Sequence, residues 1–208
     1  MSENKSDNDT NTTNAETQRP EEGYEPLRYF FFDFLKVFVM AVAIIIPVRW
    51  FLFQPFVVTG DSMRPTFHDG NYLIIDELTY RFREPARGEV VVMRFPRDPS
   101  QYFIKRIVGL PGEHIVIKEG RVTIHNGEHP EGLTLEEPYL ASQSITHGNI
   151  ERKLASDEFF VLGDNRLSSS DSRVWGTLPK KDIVGRVYLR LFPVDDLELF
   201  VPSPSYND

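Results

Sequence analysis

One stretch of this chain is apolar enough to enter a lipid bilayer, and it divides the sequence into two unequal parts. Residues 37–48 carry no charged side chain, and Lys36 and Arg49 bound them. A helix that spans a bilayer needs about 20 residues, and this run is shorter. The stretch 34–53 reaches that length if both cations extend towards the headgroups, where the aromatic residues of 29–32 also fit.

We therefore predict a transmembrane anchor over residues 29–54. A cleaved secretory signal fits less well, because the run begins far from Met1 and no small-x-small site follows it. A helix buried in a soluble core is the other alternative. Two cations precede the core of the run and two follow it, so the positive-inside rule does not set an orientation.

Composition narrows the function classes on either side of this anchor. Residues 1–28 are polar and acidic with almost no apolar content, which predicts a disordered tail. The 208 residues include no cysteine, which excludes disulfides, thiolate metal sites and cysteine nucleophiles. A net charge of -8 argues against nucleic acid as a partner, because binding phosphates needs a basic surface.

The rest of the chain, residues 55–208, is predicted to be mostly β, an irregular antiparallel β-domain. Short β-branched or aromatic runs alternate with Gly, Pro and Asp clusters. Glu119 and Gly120 predict a hairpin turn between two of the runs. Residues 126–157 are more polar, and predict either a loop excursion or a small subdomain. The predicted strands are 72–75, 90–93, 102–108, 115–118, 121–125, 159–162 and 184–191.

A candidate nucleophile lies just past the apolar run, in residues 60–66 with the sequence Gly-Asp-Ser-Met-Arg-Pro-Thr. Val57, Val58 and Thr59 are predicted to lead in as a strand. Gly60 permits a sharp bend, so Ser62 would lie on a turn. Backbone N–H groups in such a turn can point at an incoming carbonyl, as an oxyanion hole requires. The turn alone is a weak signal, because serines in such turns usually bond the backbone.

A candidate base is Lys105 in the predicted strand 102–108, where Phe103 and Ile107 share its face. Burial between two large apolar side chains would lower the pKa of this lysine and make it a usable general base. The alternative is a lysine on an edge strand that extends to water.

A third polar segment, residues 163–173, can build a rigid hydrogen-bonded loop from its short polar side chains. Asp171 and Arg173 can pair across it, and Ser169 or a neighbour can accept a hydrogen bond from a lysine. An ordinary turn cluster is the alternative. The histidines form no i,i+4 helical pair and the carboxylates are scattered, so we predict neither a metal site nor a cofactor.

Together these segments resemble the bacterial type I signal peptidases, which are membrane-anchored Ser–Lys proteases. A Ser-Met-x-Pro-Thr element followed by Lys-Arg-x-x-Gly-x-Pro-Gly is specific as a pair. The resemblance extends over 50–192, and the segments occur in the family's order after the anchor. The matching segments are 60–66, 87–94, 103–113, and 163–166 with 169–173.

The resemblance implies that Ser62 is the nucleophile and Lys105 its general base. Ser169 falls where the family has a serine that orients the lysine. Asp171 and Arg173 fall where the family has a structural ion pair. The family's arrangement further implies a single-pass protein of the cell membrane, with a cytoplasmic N-terminus and the β-domain on the outer side.

One position departs from part of the family. Some members have a serine or threonine two positions before the nucleophile as a side-chain oxyanion donor, and this chain has Gly60 there. The second donor would then be water or Thr59. The resemblance implies signal-peptide-bearing preproteins as substrates, which we expect to add as an extended strand. The residues expected to line the substrate pockets are Phe56, Val58, Phe67, Leu73 and Ile104.

Two other functions remain open at this stage. A self-cleaving Ser–Lys repressor of the SOS type shares the dyad chemistry, but the apolar run and the lack of a DNA-binding helical domain count against it. An anchored β-module that only binds extracytoplasmic partners would leave the pairing of Ser62 and Lys105 as a coincidence. The hypothesis of a binding module is favoured if the Ser62 and Lys105 side chains lie farther apart than one water molecule can bridge.

Overall fold

A long apolar helix begins the part of the chain that the structure describes. The computed structural model describes residues 25–51, 53–142 and 144–200, so the predicted tail lies outside it up to position 24. Helix α1 (Glu25–Phe51) has 27 residues and is about 40 Å long at 1.5 Å per residue. Its window Tyr29–Ile46 is long and apolar enough to cross a membrane, and none of that window is buried. Helix α1 therefore includes residues 25–28 of the predicted tail and residues 29–51 of the predicted anchor, whereas residues 53 and 54 belong to a strand.

The rest of the described chain is mostly antiparallel β-structure, as predicted. All seven predicted runs are strands, and most extend by one to four residues beyond their predicted ends. The strands are β1 (Phe53–Val57), β2 (Tyr72–Asp76), β3 (Val90–Phe95), β4 (Asp98–Gly109), β5 (His114–Lys118) and β6 (Arg121–His125). After these come β7 (Leu133–Thr134), β8 (Ile150–Lys153), β9 (Glu158–Leu162), helix α2 (Ser172–Trp175), β10 (Leu178–Pro179), β11 (Ile183–Phe192) and β12 (Glu198–Leu199).

Two sheets contain these strands. The larger has the order β1-β2-β11-β3-β4-β9-β10, with β12 paired to β11, and the smaller has the order β7-β6-β5-β8. Of the predicted lead-in strand 57–59 only Val57 belongs to a strand, because β1 ends there and Val58 and Thr59 lie outside regular secondary structure. Strand β11 lies between β2 and β3, far from both in sequence, and thereby closes the middle of the larger sheet.

The larger sheet is buried on both faces around its centre. In β3, Val90 and Val92 pack in one apolar cluster with Met63 from the nucleophile turn, while Val91 and Met93 pack in another. This assignment follows from the strand's period of two, which directs successive side chains to opposite faces. The run of four buried apolar residues in β3 is what such a doubly covered strand requires.

The smaller sheet covers a third apolar cluster. Alternate residues of β5 and β6 point into this cluster, together with Phe160 and Leu162 of β9. The predicted hairpin turn is present, because Lys118 pairs with Arg121 across Glu119 and Gly120, both of which have positive φ. Residues 126–157 contribute β7 and β8, so the region predicted as an excursion or subdomain forms part of this four-stranded sheet.

A buried ion pair joins the segment before β3 to the segment before β5. Arg87 Nη2 lies 2.6 Å from Glu113 Oε1, and the two side chains are 7% and 6% exposed. Glu113 also accepts hydrogen bonds from the Leu110 N–H and the Asn126 side chain. Burial opposes ionisation of Glu113, but Arg87 and these hydrogen bonds outweigh it and hold its pKa below the usual range.

Replacement of Glu113 is expected to destabilise the fold. Glu113→Ala leaves the Arg87 guanidinium buried without its carboxylate, which costs about 3–5 kcal/mol in the free energy of unfolding. The matched control is Glu84→Ala, which removes the exposed pair with Lys180 and should cost less than about 1 kcal/mol. Urea unfolding of the detergent-solubilised chain measures both, and equal effects would contradict the role of the buried pair.

Candidate active site

Ser62 lies on a tight turn between β1 and β2. Gly60 has φ +87, in the left-handed region that favours glycine, and its N–H donates to Asp69 Oδ1 at 2.7 Å. The Arg64 N–H donates to the Asp61 carbonyl at 3.2 Å and closes the turn. Met63, the next residue, is fully buried in the core. The turn is therefore anchored from below while Ser62 remains half-buried at the surface of a cleft.

Lys105 reaches Ser62 from the middle of β4. Its side chain is buried, with 3% of its surface exposed, and Nζ lies 2.8 Å from Ser62 Oγ. Nζ also donates to the Ile104 carbonyl at 2.8 Å and lies 5.4 Å from the centre of the Phe103 ring. The structure thus brings the two predicted residues into direct contact, 43 positions apart in sequence.

Burial decides the protonation of Lys105. Removal from water disfavours the ammonium form and lowers the pKa to about 8, although the charges of Asp171 and Asp164 oppose the shift. Each of these carboxylates has its own guanidinium partner, which limits that opposing effect. A lysine with this pKa is neutral in an appreciable fraction of molecules near neutral pH, as a general base must be.

The predicted loop 163–173 is ordered around Asp171. Arg173 binds this carboxylate with two hydrogen bonds of 2.8 Å, and the Gly163 N–H donates to it at 3.1 Å. Asp171 also accepts from the Arg173 N–H at the start of α2. Ser169 lies next to Gly163 and Asp171, but its hydroxyl makes no hydrogen bond to Lys105. The orienting role that the resemblance implies for Ser169 stays a prediction.

A second buried ion pair near the site was not assigned from the sequence. Arg106 follows Lys105 on β4 and makes two hydrogen bonds to Asp164, at 2.9 and 2.7 Å. The hydroxyl of Thr66 donates to the same carboxylate at 2.5 Å. Both charged residues lie within the motifs quoted above. The period of two along β4 could have predicted that Arg106 points to the opposite face from Lys105.

An apolar cleft of about 250 Å³ opens beside Ser62 and Lys105. Four of the five predicted pocket residues line it: Phe56, Val58, Leu73 and Ile104. Phe67 does not, because it is fully buried with its ring 4.9 Å from that of Phe200. The lining residues that were not among the predicted pocket residues, apart from Ser62 and Lys105, are Val57, Thr59, Val92, Tyr102, Phe103 and Ser170. Thr59 is thus close enough to the cleft to stay a candidate donor.

The site offers no metal-binding group within the residues that the structure describes, since no three His, Asp or Glu side chains come together there. Its chemistry is instead that of an activated nucleophile: a serine hydroxyl in contact with a buried amine of lowered pKa, beside an apolar cleft. On a mostly β fold, this arrangement fits a serine hydrolase.

Comparison with known proteins gives the family. The profile of the family described as signal peptidase, peptidase S26, matches residues 31–192. A signal peptidase I of Leptolyngbya laminosa is 36% identical over 179 residues, which are 83% of this chain and 85% of that protein. A signal peptidase I of Bacillus amyloliquefaciens is 33% identical over 79% of this chain and 90% of that protein. The chain therefore belongs to the signal peptidase family and is a serine peptidase.

A solved structure of a signal peptidase I from Enterococcus faecalis also matches, at 25% identity and a TM-score of 0.43. The match covers 50% of this chain and 97% of that one. The family assignment rests on the profile and the two sequence relatives.

Gly163 is expected to tolerate no side chain. A Cβ at this position would overlap Ser169 Oγ and lie 2.5 Å from the Ser62 carbonyl oxygen. Gly163→Ala should therefore displace the Ser62 turn and lower peptidase activity by about 100-fold, since a shift of about 1 Å in a reacting group has that effect. Gly127→Ala is the control, because a Cβ there meets nothing within 4 Å. The measurement is the cleavage rate of each variant on a signal-peptide substrate, relative to wild type. Full activity of Gly163→Ala would contradict the predicted steric overlap.

Proposed function

We propose that this protein is a membrane-bound endopeptidase that removes N-terminal signal peptides from exported preproteins through an acyl-enzyme on Ser62. The observation that carries the proposal is the 2.8 Å contact between Ser62 Oγ and the buried Lys105 Nζ. Membership of the signal peptidase family supports the substrate class. The contact also removes the condition under which a purely binding module would be favoured, since no bridging water is needed.

In the proposed acylation step, Lys105 is the base and Ser62 is the nucleophile. Neutral Lys105 takes the proton of the Ser62 hydroxyl while Oγ forms a bond to the scissile carbonyl carbon and the carbonyl π electrons move to oxygen. When the tetrahedral intermediate collapses, the C–N bond breaks and the lysine ammonium gives its proton to the leaving amine. The products are a free new N-terminus and an ester on Ser62.

Deacylation repeats the same steps with water. Neutral Lys105 accepts a proton from a water molecule, whose oxygen attacks the ester carbon, and the Ser62 oxygen leaves with that proton. The signal peptide departs with a new carboxylate. One base of pKa about 8 serves both half-reactions, so the buried position of Lys105 has to persist throughout the cycle.

The substrate is expected to bind as an extended strand in the cleft. Strand β4 pairs with β9 only from Arg106 onwards, which leaves the stretch before Lys105 without a partner on that side among the described residues. On the opposite side of the cleft, β1 is the edge strand of the larger sheet. Main-chain groups of a peptide can bond to such edges, while side chains enter the cleft. Its small volume and apolar lining fit small residues at the cleavage site.

We further propose a single-pass topology with the N-terminus in the cytoplasm and the β-structure on the outer side. Helix α1 is long and apolar enough to span, and β1 follows it after one residue, so the span would tether the catalytic part to the membrane. The side is taken from the family resemblance, because the charges flanking the span do not favour either side.

The proposal is tested by removing each member of the dyad. Ser62→Ala and Lys105→Ala should each abolish cleavage of a preprotein in detergent or vesicles, while circular dichroism shows an unchanged fold. The matched control is Lys180→Ala, which removes an exposed lysine whose ion pair lies outside the site. This variant should cleave the preprotein at the wild-type rate. Activity of either dyad variant within tenfold of wild type would rule out the assigned role.

The pH profile tests the base independently. Because Lys105 acts when neutral and its pKa is lowered to about 8, kcat/KM should fall about tenfold per pH unit below that value and level off above it. The measurement is the rate under conditions where the chemical step limits turnover. A rate that stays flat from about pH 5 to about pH 9, or a midpoint at the ordinary lysine pKa, would contradict the dyad.

A further inference from the structure

Asn165 makes two hydrogen bonds to the nucleophile turn. Its side-chain Nδ2 donates to the Asp61 carbonyl at 3.1 Å, and its backbone N–H donates to the Ser62 carbonyl at 3.0 Å. These two carbonyls flank the Cα of Ser62 on either side. Asn165 therefore contacts both peptide planes that meet at the nucleophile and restrains the φ and ψ of Ser62, together with the Arg64 N–H, which also donates to the Asp61 carbonyl.

The orientation of Asn165 is itself determined locally. Its Oδ1 accepts the Ser168 N–H at 3.2 Å, so the same amide group that donates to Asp61 closes a turn of its own loop. That loop is held in place by the Asp164–Arg106 ion pair at the preceding residue. The contact with Ser62 is thus made from a fixed support.

One peptide unit links this contact to the chemistry. The Asp61 carbonyl and the Ser62 N–H belong to the same planar trans peptide, so they point in opposite directions. Asn165 and the Arg64 N–H hold the carbonyl end, and the Ser62 N–H points away from it. This N–H makes no hydrogen bond to any residue that the structure describes. Gly60 has no side chain to supply a second donor nearby.

We propose that Asn165 is a positioning residue that holds the Asp61–Ser62 peptide so that the Ser62 N–H can bind the oxyanion of the tetrahedral intermediate. This rests on the proposed function of Ser62 as nucleophile. The N–H meets a full negative charge only after Oγ has added to the carbonyl carbon. Its correct orientation therefore stabilises the transition state more than the bound substrate, and the effect falls on kcat.

The sharpest variant is Asn165→Ser. A serine hydroxyl can still accept the Ser168 N–H, and the backbone bond to the Ser62 carbonyl is unchanged, but the side chain is too short to reach the Asp61 carbonyl. Asn165→Asp is the second variant, because it keeps the shape and replaces the donor with an oxygen. Ser168→Ala is the matched control, since this exposed serine contributes only its backbone N–H to the loop.

Both Asn165 variants should lower kcat by about 10- to 100-fold with KM within about twofold. The loss is smaller than the roughly 10²–10³-fold that removal of a whole oxyanion donor causes, because the N–H is loosened rather than removed. Asn165→Ser should keep the acid limb of the pH profile near pH 8, since Lys105 bonds to Ser62 and to the Ile104 carbonyl and not to Asn165. Ser168→Ala should match wild type in kcat, in KM and in the position of the acid limb.

Three outcomes overturn the inference. They are a kcat within about threefold of wild type, a rise in KM without a fall in kcat, and an acid limb of Asn165→Ser that shifts by more than about half a pH unit. Loss of the thermal unfolding transition in both variants would assign Asn165 a structural role instead. If Ser62→Ala retains activity, the proposed function itself fails. If Ser62→Ala is inactive while the Asn165 variants are fully active, only the positioning role fails.

Discussion

The proposed mechanism depends on one amine that is uncharged inside the protein, the side chain of Lys105. Burial of Lys105 lowers its pKa, but two carboxylates near it favour the ammonium form. Both of these acids have guanidinium partners, Asp164 with Arg106 and Asp171 with Arg173. A carboxylate paired in this way exerts a weaker field on its surroundings than an isolated one, so the two ion pairs help to preserve a base of pKa about 8.

Strand β4 connects this electrostatic requirement to the fold. Successive residues on a strand point to opposite faces, so Lys105 is directed at Ser62 while Arg106 is directed at Asp164. The Asp164 pair in turn holds the loop that carries Asp171. A shift of β4 by one residue would exchange these two directions. Lys105 would then point away from Ser62, and Arg106 would point away from Asp164. The register of β4 with β3 therefore matters for the site.

The period of two let the sequence predict most strands, but not how they pair. The short strands β7, β10 and β12 have two residues each, too few for any periodic signal, and the insertion of β11 between β2 and β3 is a non-local pairing. The same limit applies at the site. The resemblance to a family indicated Ser62 and Lys105. The prediction that Phe67 lines the cleft was wrong, since this side chain lies in the core. Its direction could not be predicted, because side chains in a turn follow no regular period.

Gly60 gives the nucleophile turn its conformation and also limits its chemistry. Its positive φ lets the chain bend sharply before Ser62, but it carries no hydroxyl that could donate to an oxyanion. A backbone donor can replace a side chain only if its peptide plane is already fixed when charge develops, because reorientation during the reaction would cost part of the stabilisation. The polar loop that supports the environment of Lys105 also bonds to this peptide through Asn165, so one structural element interacts with both the proposed base and the proposed oxyanion donor.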